Sequence, residues 1–414
     1  MRILIYPHAM EIGGSQINAI ELGAAVRDLG HEVAVIGEPG PLVDLVEKLG
    51  LEHLPLPADR KRPSPSVARR IRGLVRSRRL DIVHGYEWPP AMDAAGATLT
   101  VPGATAVCTI MSMAVAPFLP AHMPLVVGTE ALRRHSAARR PGPVHLIEPP
   151  VDVTLNTPDL PAAAFRSEFG LDRDSGIVDI GVVCRLVPEL KLEGVLTAID
   201  VMGTLGRTHP VRLTITGDGI ARADVEARAA AANAAAGRRV VVLTGELRDP
   251  RPAYAAADIM LGMGSSALRA LAFGRPLIVQ GEQGFWELLT PETVDLFLEQ
   301  GWYGLGGSGA PALTAHLLRL LDDPALRSRL SAYGRELAVE RYSLLRAAHT
   351  QLAIYQQALA AASTRPAGAR AWEASRSAAG LFTYKVDRKY QAFRGTQRRD
   401  DFNVAVLAKQ AMKP

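Results

Sequence analysis

Cysteine is nearly missing from this chain of 414 residues, and its two copies, Cys108 and Cys184, both fall inside apolar, strand-like runs. Two such residues cannot form a disulfide framework and read as buried, reduced thiols. Neither has a Cys or His beside it at ligand spacing, so the sequence offers no metal site. The opening MRILIYPHAME reaches an acid at Glu11 after too short an apolar run for a signal peptide. The dinucleotide pattern GxGxxG is lacking as well, because Gly13 and Gly14 stand without the further glycine spacing. Charge is absent between Asp93 and Glu130, a gap long enough to test for a membrane helix, which needs about 20 apolar residues. Pro102, Pro117, Pro120 and Pro124, with Gly96 and Gly103, break any continuous helix there, so buried strands with a proline-rich loop are expected.

What is present fits two domains of ordinary size. Apolar residues make up 48% and charged ones 21%, which excludes wholesale disorder. The net charge of +5 suggests an anionic partner, yet only seven of the 47 basic residues are lysine, and an arginine bias follows base composition as readily as any ligand. The charge is also local. Residues 60–79 hold nine bases and no acid, residues 365–414 hold eleven bases against four acids, and the remainder stands at −11. No nucleic-acid motif accompanies either basic segment, so nucleic acid is not an expected partner.

The segments RILIYP, NAIELGAAVRDLG and HEVAVIG read as strand, helix, strand, a βαβ unit that implies a parallel sheet covered on both faces. Strand-like EHLPLP, DIVHGY, TAVCTI, PLVVGT and VHLIEPP extend it. After a linker near 151–165 the alternation restarts with GIVDIGVVCRL, VRLTITGDG, VVVLTG, ADIMLGMG and PLIVQG. The expectation is an α/β chain of two doubly wound, Rossmann-like domains, 1–160 and 161–358, facing across a cleft, with a basic extension 359–414. The extension starts as linker or frayed helix, while Phe382, Tyr384, Tyr390 and Phe393 predict partial packing on the body.

Gly13 and Gly14, between strand and helix, can admit an anion or sugar hydroxyl, or can simply make a turn. Arg185 and Lys191 lie six apart across a strand-to-helix loop, where a fork and a point charge can clamp a diphosphate; surface bases are the plainer account. Gly217, in LTITGDG, marks a tight turn. Gly264, Ser265 and Ser266 open a helix with small residues whose amides and hydroxyls suit phosphate oxygens. Glu282, Gln283 and Gly284 follow the PLIVQG strand, where substrate hydroxyls can be read. The arginine-rich helix 66–79 turns Val67, Ile71, Leu74 and Val75 toward the sheet; its basic side reads as a solvated face before it reads as a membrane surface.

Taken in order, GGSQ with LGAAVRDLGHEVAV, DIVH at 81–84, EPPVD at 148–152, CRLVPELK, LTITGDG, VVLTGEL, AYAAADIML and ALAFGRPLIV resemble the retaining nucleotide-sugar glycosyltransferases of the GT-B fold, the glycosyl transferases group 1 family. The resemblance covers roughly residues 1–358. It implies a nucleoside-diphosphate sugar, UDP- or GDP-linked, held by the second domain, and a small-molecule or lipid-linked acceptor held by the first. Arg185 and Lys191 would stabilise the leaving diphosphate; Gly245, Glu246 and Leu247 would flank the base; Gly264, Ser265, Ser266, Leu268 and Arg269 would meet the β-phosphate region. Gly13, Gly14, Gly217, Glu282, Gln283 and Gly284 complete the implied donor set, Met111, Ser112, Met113 and Glu87 the implied acceptor set. Retention in this family resembles a front-face substitution, which implies no metal and no cofactor beyond the nucleotide-sugar substrate.

Two departures stand out. The family's later glutamate is replaced by Arg269, and the shortened loop before it leaves the earlier one without a counterpart. A guanidinium has no acceptor for ribose hydroxyls. Either Glu282 or Glu287 takes the ribose, or the donor binds differently, or activity is lost and the chain is a binding or scaffold subunit. The family's histidine after CTIMSM is also missing, with His84 and His8 as substitutes; His84 is placed in the catalytic set, although a lone His at a strand end is more often structural. Asp172-Arg173-Asp174 falls in a turn before a strand and is not expected to hold a metal. A cytoplasmic location is expected, with a peripheral place at the inner membrane face and a homodimer left open.

Overall fold

The computed structural model describes residues 1–60, 62–112, 114–171 and 176–396. Met113 and the Asp172-Arg173-Asp174 triplet lie outside the described residues. The chain divides into two units, one of 1–150 with 344–414, the other of 151–343.

In the first unit, short β-branched runs form β1 (Arg2–Tyr6), β2 (Glu32–Gly37), β3 (Glu52–Pro55), β4 (Ile82–Tyr86), β5 (Thr105–Ile110), β6 (Leu125–Val127) and β7 (Val144–Leu146). They make one sheet in the order β3-β2-β1-β4-β5-β6-β7, parallel at every pairing. Alternation along each strand splits the core between two faces. Leu4, Tyr6, Val83 and Cys108 point to one, which helices Pro65–Arg78 and Trp88–Thr98 cover with Val67, Ile71, Val75, Ala91 and Ala94. Ile3, Ile5, Ile82 and Val107 point to the other, covered by helix Gly14–Asp28. The uncharged stretch after Asp93 becomes helix, strands and a loop that buries Ala116, Phe118, Leu119 and Met123. Among the described residues no helix is long and apolar enough to cross a membrane.

The chain after residue 343 differs from expectation. Helix Leu344–Thr364, which the expected boundary at 358 divides between the second domain and the extension, packs on the first sheet through Ala347, Ala348, Ile354, Tyr355 and Ala358. Among its described residues, the extension holds the end of that helix and a second one, Ala367–Phe393, the helical of the two forms expected for its first part. Leu381 and Tyr384 pack on the body while Phe382, Tyr390 and Phe393 stay exposed.

The second unit holds β8 (Val178–Val183), β9 (Val211–Thr216), β10 (Val241–Gly245), β11 (Ile259–Gly262), β12 (Leu277–Gln280) and β13 (Trp286–Leu288). Their order is β10-β9-β8-β11-β12-β13. All pairings are parallel except the antiparallel edge strand β13 on β12. Helices Glu193–Leu205 and Arg222–Ala236 cover one face, burying Val195, Ile199, Met202, Val225 and Ala229. Helix Ser265–Ala272 lies on the other, with Tyr254 and Phe273 stacked at 5.5 Å.

Candidate functional site

Open parallel sheets bind ligands beyond the carboxyl ends of their strands, and in the second unit that edge is drawn tightly together. Gly245 O accepts from Gly217 N at 2.8 Å, Thr216 O from Cys184 N at 3.0 Å, and Asp218 O from Leu186 N at 2.9 Å. Gly217 has φ +138°, and a Cβ there would lie 1.8 Å from Cys184 O. Only glycine lets the β9 turn pass this close to the chain leaving β8.

The chain then turns through Pro188–Leu192, with Leu190 in the left-handed region at φ 66°. Arg185 is exposed and Lys191 half-buried. Burial is the main influence on Lys191 and lowers its pKa; Cys184 opposes that shift and Arg185 adds to it. Arg185 and Lys191 are therefore electrostatic neighbours, and the partly dried Lys191 ammonium gains from an anion. The fork and point charge expected of a diphosphate clamp are brought together.

Close to Cys184 and Arg269 lies Tyr254, which sequence reading missed. Burial raises its pKa to about 12; Arg269 lowers it, Cys184 raises it, and a hydrogen bond with Ser266 lowers it. Arg269 thus sits near the same phenol that borders Cys184, and Cys184 in turn interacts with Lys191. Three cations, Arg185, Lys191 and Arg269, are linked through this group. Nothing local in AYAAADIML marks Tyr254 as more than a core aromatic.

Gly264 caps helix Ser265–Ala272 at φ 56° and donates to Trp302 O at 2.6 Å. Ser265 and Ser266 are half-buried at the helix start, with Ser266 Oγ donating to Met263 O at 3.3 Å. Leu268 corrects an expectation: it is 1% exposed within the core, because its position on the helix faces the sheet. Glu246 is exposed beyond β10, while Leu247 half-packs against Phe165 and its neighbours.

Glu282, Gln283 and Gly284 form a turn with Gln283 at φ 57° and Gly284 at φ 79°. Within this turn the backbone N–H groups are held by Glu193, at 3.0 Å to Gln283 N and 2.7 Å to Gly284 N, which leaves the side chains of Glu282 and Gln283 as the groups that can meet a substrate hydroxyl. Glu282 Oε2 accepts from Tyr303 Oη at 2.5 Å. Glu193, ninety residues away in sequence, carries no signal for this role.

In the first unit Gly13 caps helix Gly14–Asp28 with extended backbone, and Gly14 is exposed. Glu87, at φ 68°, accepts from Met111 N at 2.9 Å, Ser112 N at 3.1 Å and Ser112 Oγ at 2.7 Å. Three expected acceptor residues, Glu87, Met111 and Ser112, are therefore held in one cluster.

His84 is a correction. It is fully buried, with Nδ1 2.7 Å from Tyr355 Oη and Nε2 2.7 Å from Thr109 Oγ1. Burial lowers its pKa to about 3, so the ring is neutral and holds helix Leu344–Thr364 to the sheet. Both ring nitrogens are engaged, and a catalytic base needs one of them for substrate.

Part of the basic run 60–79 also proves internal. Glu38 accepts from Arg60 Nη2 at 2.6 Å and Arg62 Nη2 at 2.5 Å, and Arg60 reaches Tyr6 Oη at 3.3 Å. Alongside, Asp93 accepts from Ser64 N at 2.7 Å. Burial pushes the Asp93 carboxyl up to about 7 against the pull of Ser64, Arg60 and Tyr6.

Residues 178–323 match the family model described as Glycosyl transferases group 1, and residues 12–155 the one described as Glycosyltransferase Family 4. The chain is 32% identical over 203 residues to a 2-deoxystreptamine glucosyltransferase of Streptomyces kanamyceticus, covering 47% of this chain and 49% of the relative. It is 29% identical over 197 residues to a GDP-mannose-dependent alpha-mannosyltransferase of Mycobacterium tuberculosis, covering 46% of each. The chain thus spans about half the length of the curated relatives it matches. Among solved structures, a glycosyltransferase from Rickettsia africae superposes with TM-score 0.69 at 16% identity, over 86% of this chain and 98% of the other. HepE from Anabaena in complex with UDP superposes with TM-score 0.67 at 14% identity, over 86% and 100%. At these identities the likeness shows the fold.

Proposed function

The chain belongs to the glycosyltransferases, to family 4 over residues 12–155 and to group 1 over residues 178–323, and on that premise we propose that it moves a sugar from a nucleoside diphosphate to an acceptor hydroxyl. The observation that carries the reading is the pairing of Arg185 with the desolvated Lys191 at the carboxyl end of β8. In a transfer the sugar–phosphate bond breaks, the diphosphate gains negative charge, and the acceptor oxygen bonds to the anomeric carbon. Cations fixed where that charge develops favour the transition state over the ground state. Arg185 and Lys191 fill this role, with Ser265, Ser266 and the start of their helix toward the β-phosphate and the β10 end at Gly245–Leu247 toward the base. The sugar is read by the Glu282–Gly284 turn that Glu193 holds.

Retention follows the front-face course. The acceptor enters on the side from which the diphosphate leaves, and a diphosphate oxygen takes the hydroxyl proton. Charge on the diphosphate is met by Arg185 and Lys191 in place of a metal. The donor is a UDP- or GDP-sugar. UDP binding by HepE and the name of the GDP-mannose-dependent relative both support a nucleotide-sugar. The acceptor is a small molecule or a lipid-linked sugar, met in the first unit by the Glu87–Met111–Ser112 cluster.

Arg269 favours a second reading. Beside Tyr254 it adds a third cation where the family's glutamate stands, which suits holding a nucleoside diphosphate without transfer. Incubating the protein with UDP-glucose or GDP-mannose and following release of the nucleoside diphosphate separates the two. Turnover of either donor supports transfer; binding without turnover of any donor supports the second reading; neither binding nor turnover removes both.

A further inference from the structure

Helix Ala367–Phe393 has two faces of opposite character. One is committed to the body of the first unit. Ser377 Oγ donates to Phe118 O at 2.5 Å, and Tyr384 meets Trp88 and Phe118 with ring centroids 5.7 and 5.1 Å apart. The other carries Trp372 at 68% exposure, Phe382 at 71%, Val386 at 50%, Tyr390 at 53% and Phe393 at 90%. At 3.6 residues per turn these five fall in an arc of about 80°, turned away from Ser377, Leu381 and Tyr384. Phe382, Val386, Tyr390 and Phe393 follow one another in solvent as a stripe, and Trp372 lies on the same face beyond the small Ser375 and Ala379; scattered singletons would need no explanation.

Cations border the stripe on both sides. Lys385 and Lys389 run along one flank, and Arg376 and Arg394 along the other, all exposed. Arg394 also lies over the Tyr390 ring at 5.0 Å. Asp387, further round the second flank, accepts from Gln391 Nε2 at 2.7 Å.

We propose that this stripe docks the protein on an anionic lipid surface, the aromatic rings entering the interfacial layer and the flanking Lys and Arg meeting lipid phosphates. Two observations favour lipid over a second copy of the chain. Trp, Tyr and Phe suit the boundary between headgroups and acyl chains. A self-paired stripe, in contrast, would set cationic flanks against cationic flanks. This surface differs from the helix Pro65–Arg78 side suggested by sequence, whose apolar residues Val67, Ile71 and Val75 are already buried against the sheet. The proposal stands independently of whether the chain transfers sugars.

Co-sedimentation of the full chain with vesicles tests it. One set is phosphatidylcholine alone; the other contains about one part phosphatidylglycerol in three, at ~0.1 M salt. Binding to the anionic vesicles should exceed binding to the neutral ones at least tenfold. The Trp372→Ser/Phe382→Ser/Phe393→Ser variant should lose at least tenfold with an unchanged melting temperature, because these side chains are exposed. Lys385→Glu/Lys389→Glu should lose binding in the same direction. Equal binding to both vesicle types, or full binding by the serine variant, would overturn the proposal. So would a concentration-dependent dimer that the serine variant abolishes.

Discussion

The Glu193 carboxylate accepts the backbone N–H groups of Gln283 at 3.0 Å and Gly284 at 2.7 Å, which ties the start of one helix to a turn beyond β12. Both turn residues have positive φ. Gly284 adopts that conformation freely, whereas Gln283 is held in one its side chain disfavours, with a charged acceptor on both amides. Glu193→Ala removes that acceptor and should cost about 1 kcal/mol in global stability, since the site is exposed and water can replace part of the bonding. The larger effect should be a several-fold weaker grip on the donor sugar. Denaturant melts and donor titrations of the variant measure the two; unchanged donor binding would remove the turn from the site.

Arg185 and Lys191 should separate by their effects. Arg185 is exposed, so Arg185→Ala should leave the melting temperature unchanged while lowering kcat/KM by roughly 10²–10³. Lys191 has a lowered pKa because of burial, so its ammonium deprotonates below the ordinary 10.5. In the proposed role it is the protonated form that meets the diphosphate. The alkaline limb of kcat/KM should therefore begin below pH 10.5, and Lys191→Arg, which stays charged, should move it upward. A pH profile identical in the two proteins would contradict this role.

The pH dependence of stability has two opposed parts. His84 has its pKa lowered by burial to about 3 from 6.5, so between these values the unfolded chain takes up a proton that the native chain refuses. Stability then falls as pH drops through that window. Asp93 has its pKa raised by burial to about 7 from 3.8, so the native chain holds a proton the unfolded one has lost, and stability falls as pH rises from 3.8 toward 7. Asp93→Asn should remove the second slope and leave the first, making the protein more stable at pH 8 relative to pH 5 than the parent. Urea melts at a series of pH values check it; parallel curves for variant and parent would contradict it.

Two glycines should respond oppositely to alanine. At Gly217 a Cβ would meet Cys184 O at 1.8 Å, and the backbone has φ +138°, so Gly217→Ala should cost several kcal/mol or abolish folding. At Gly73, inside helix Pro65–Arg78, nothing lies within 4 Å of the same position. Gly73→Ala should stabilise by about 0.5–1 kcal/mol. Thermal melts of both distinguish a packing glycine from a tolerated one.

The repeating strand–helix pattern was legible because most buried strands are short runs rich in β-branched residues and many of the turns between them contain a glycine. The two parallel sheets follow from that pattern. The expected site was legible as local structure where its residues lie in one segment: Arg185 and Lys191 share a loop, as do Gly264, Ser265 and Ser266. It was not legible where a long-range contact assigns the role. His84 reads as a strand-end base until Tyr355, 271 residues later, is seen to bond its ring. The same contact explains why helix Leu344–Thr364 belongs with the first sheet. Glu193 reads as an ordinary helix-start acid until the turn it holds is folded beside it. Strand β13 has only three residues, Trp286–Leu288, too few to show alternation, and its antiparallel pairing with β12 follows from the turn between them. The run 60–79 counted as one block of nine bases, but Glu38 pairs with Arg60 and Arg62 ahead of the helix.

Titration calorimetry of the full chain with UDP and with GDP, repeated on Arg185→Ala/Lys191→Ala, tests the central claim most directly. At least one nucleoside diphosphate should bind the parent, and the double variant should lose at least a hundredfold in affinity, about 2.7 kcal/mol. Binding of neither nucleotide by the parent, or equal binding by the double variant, would contradict it.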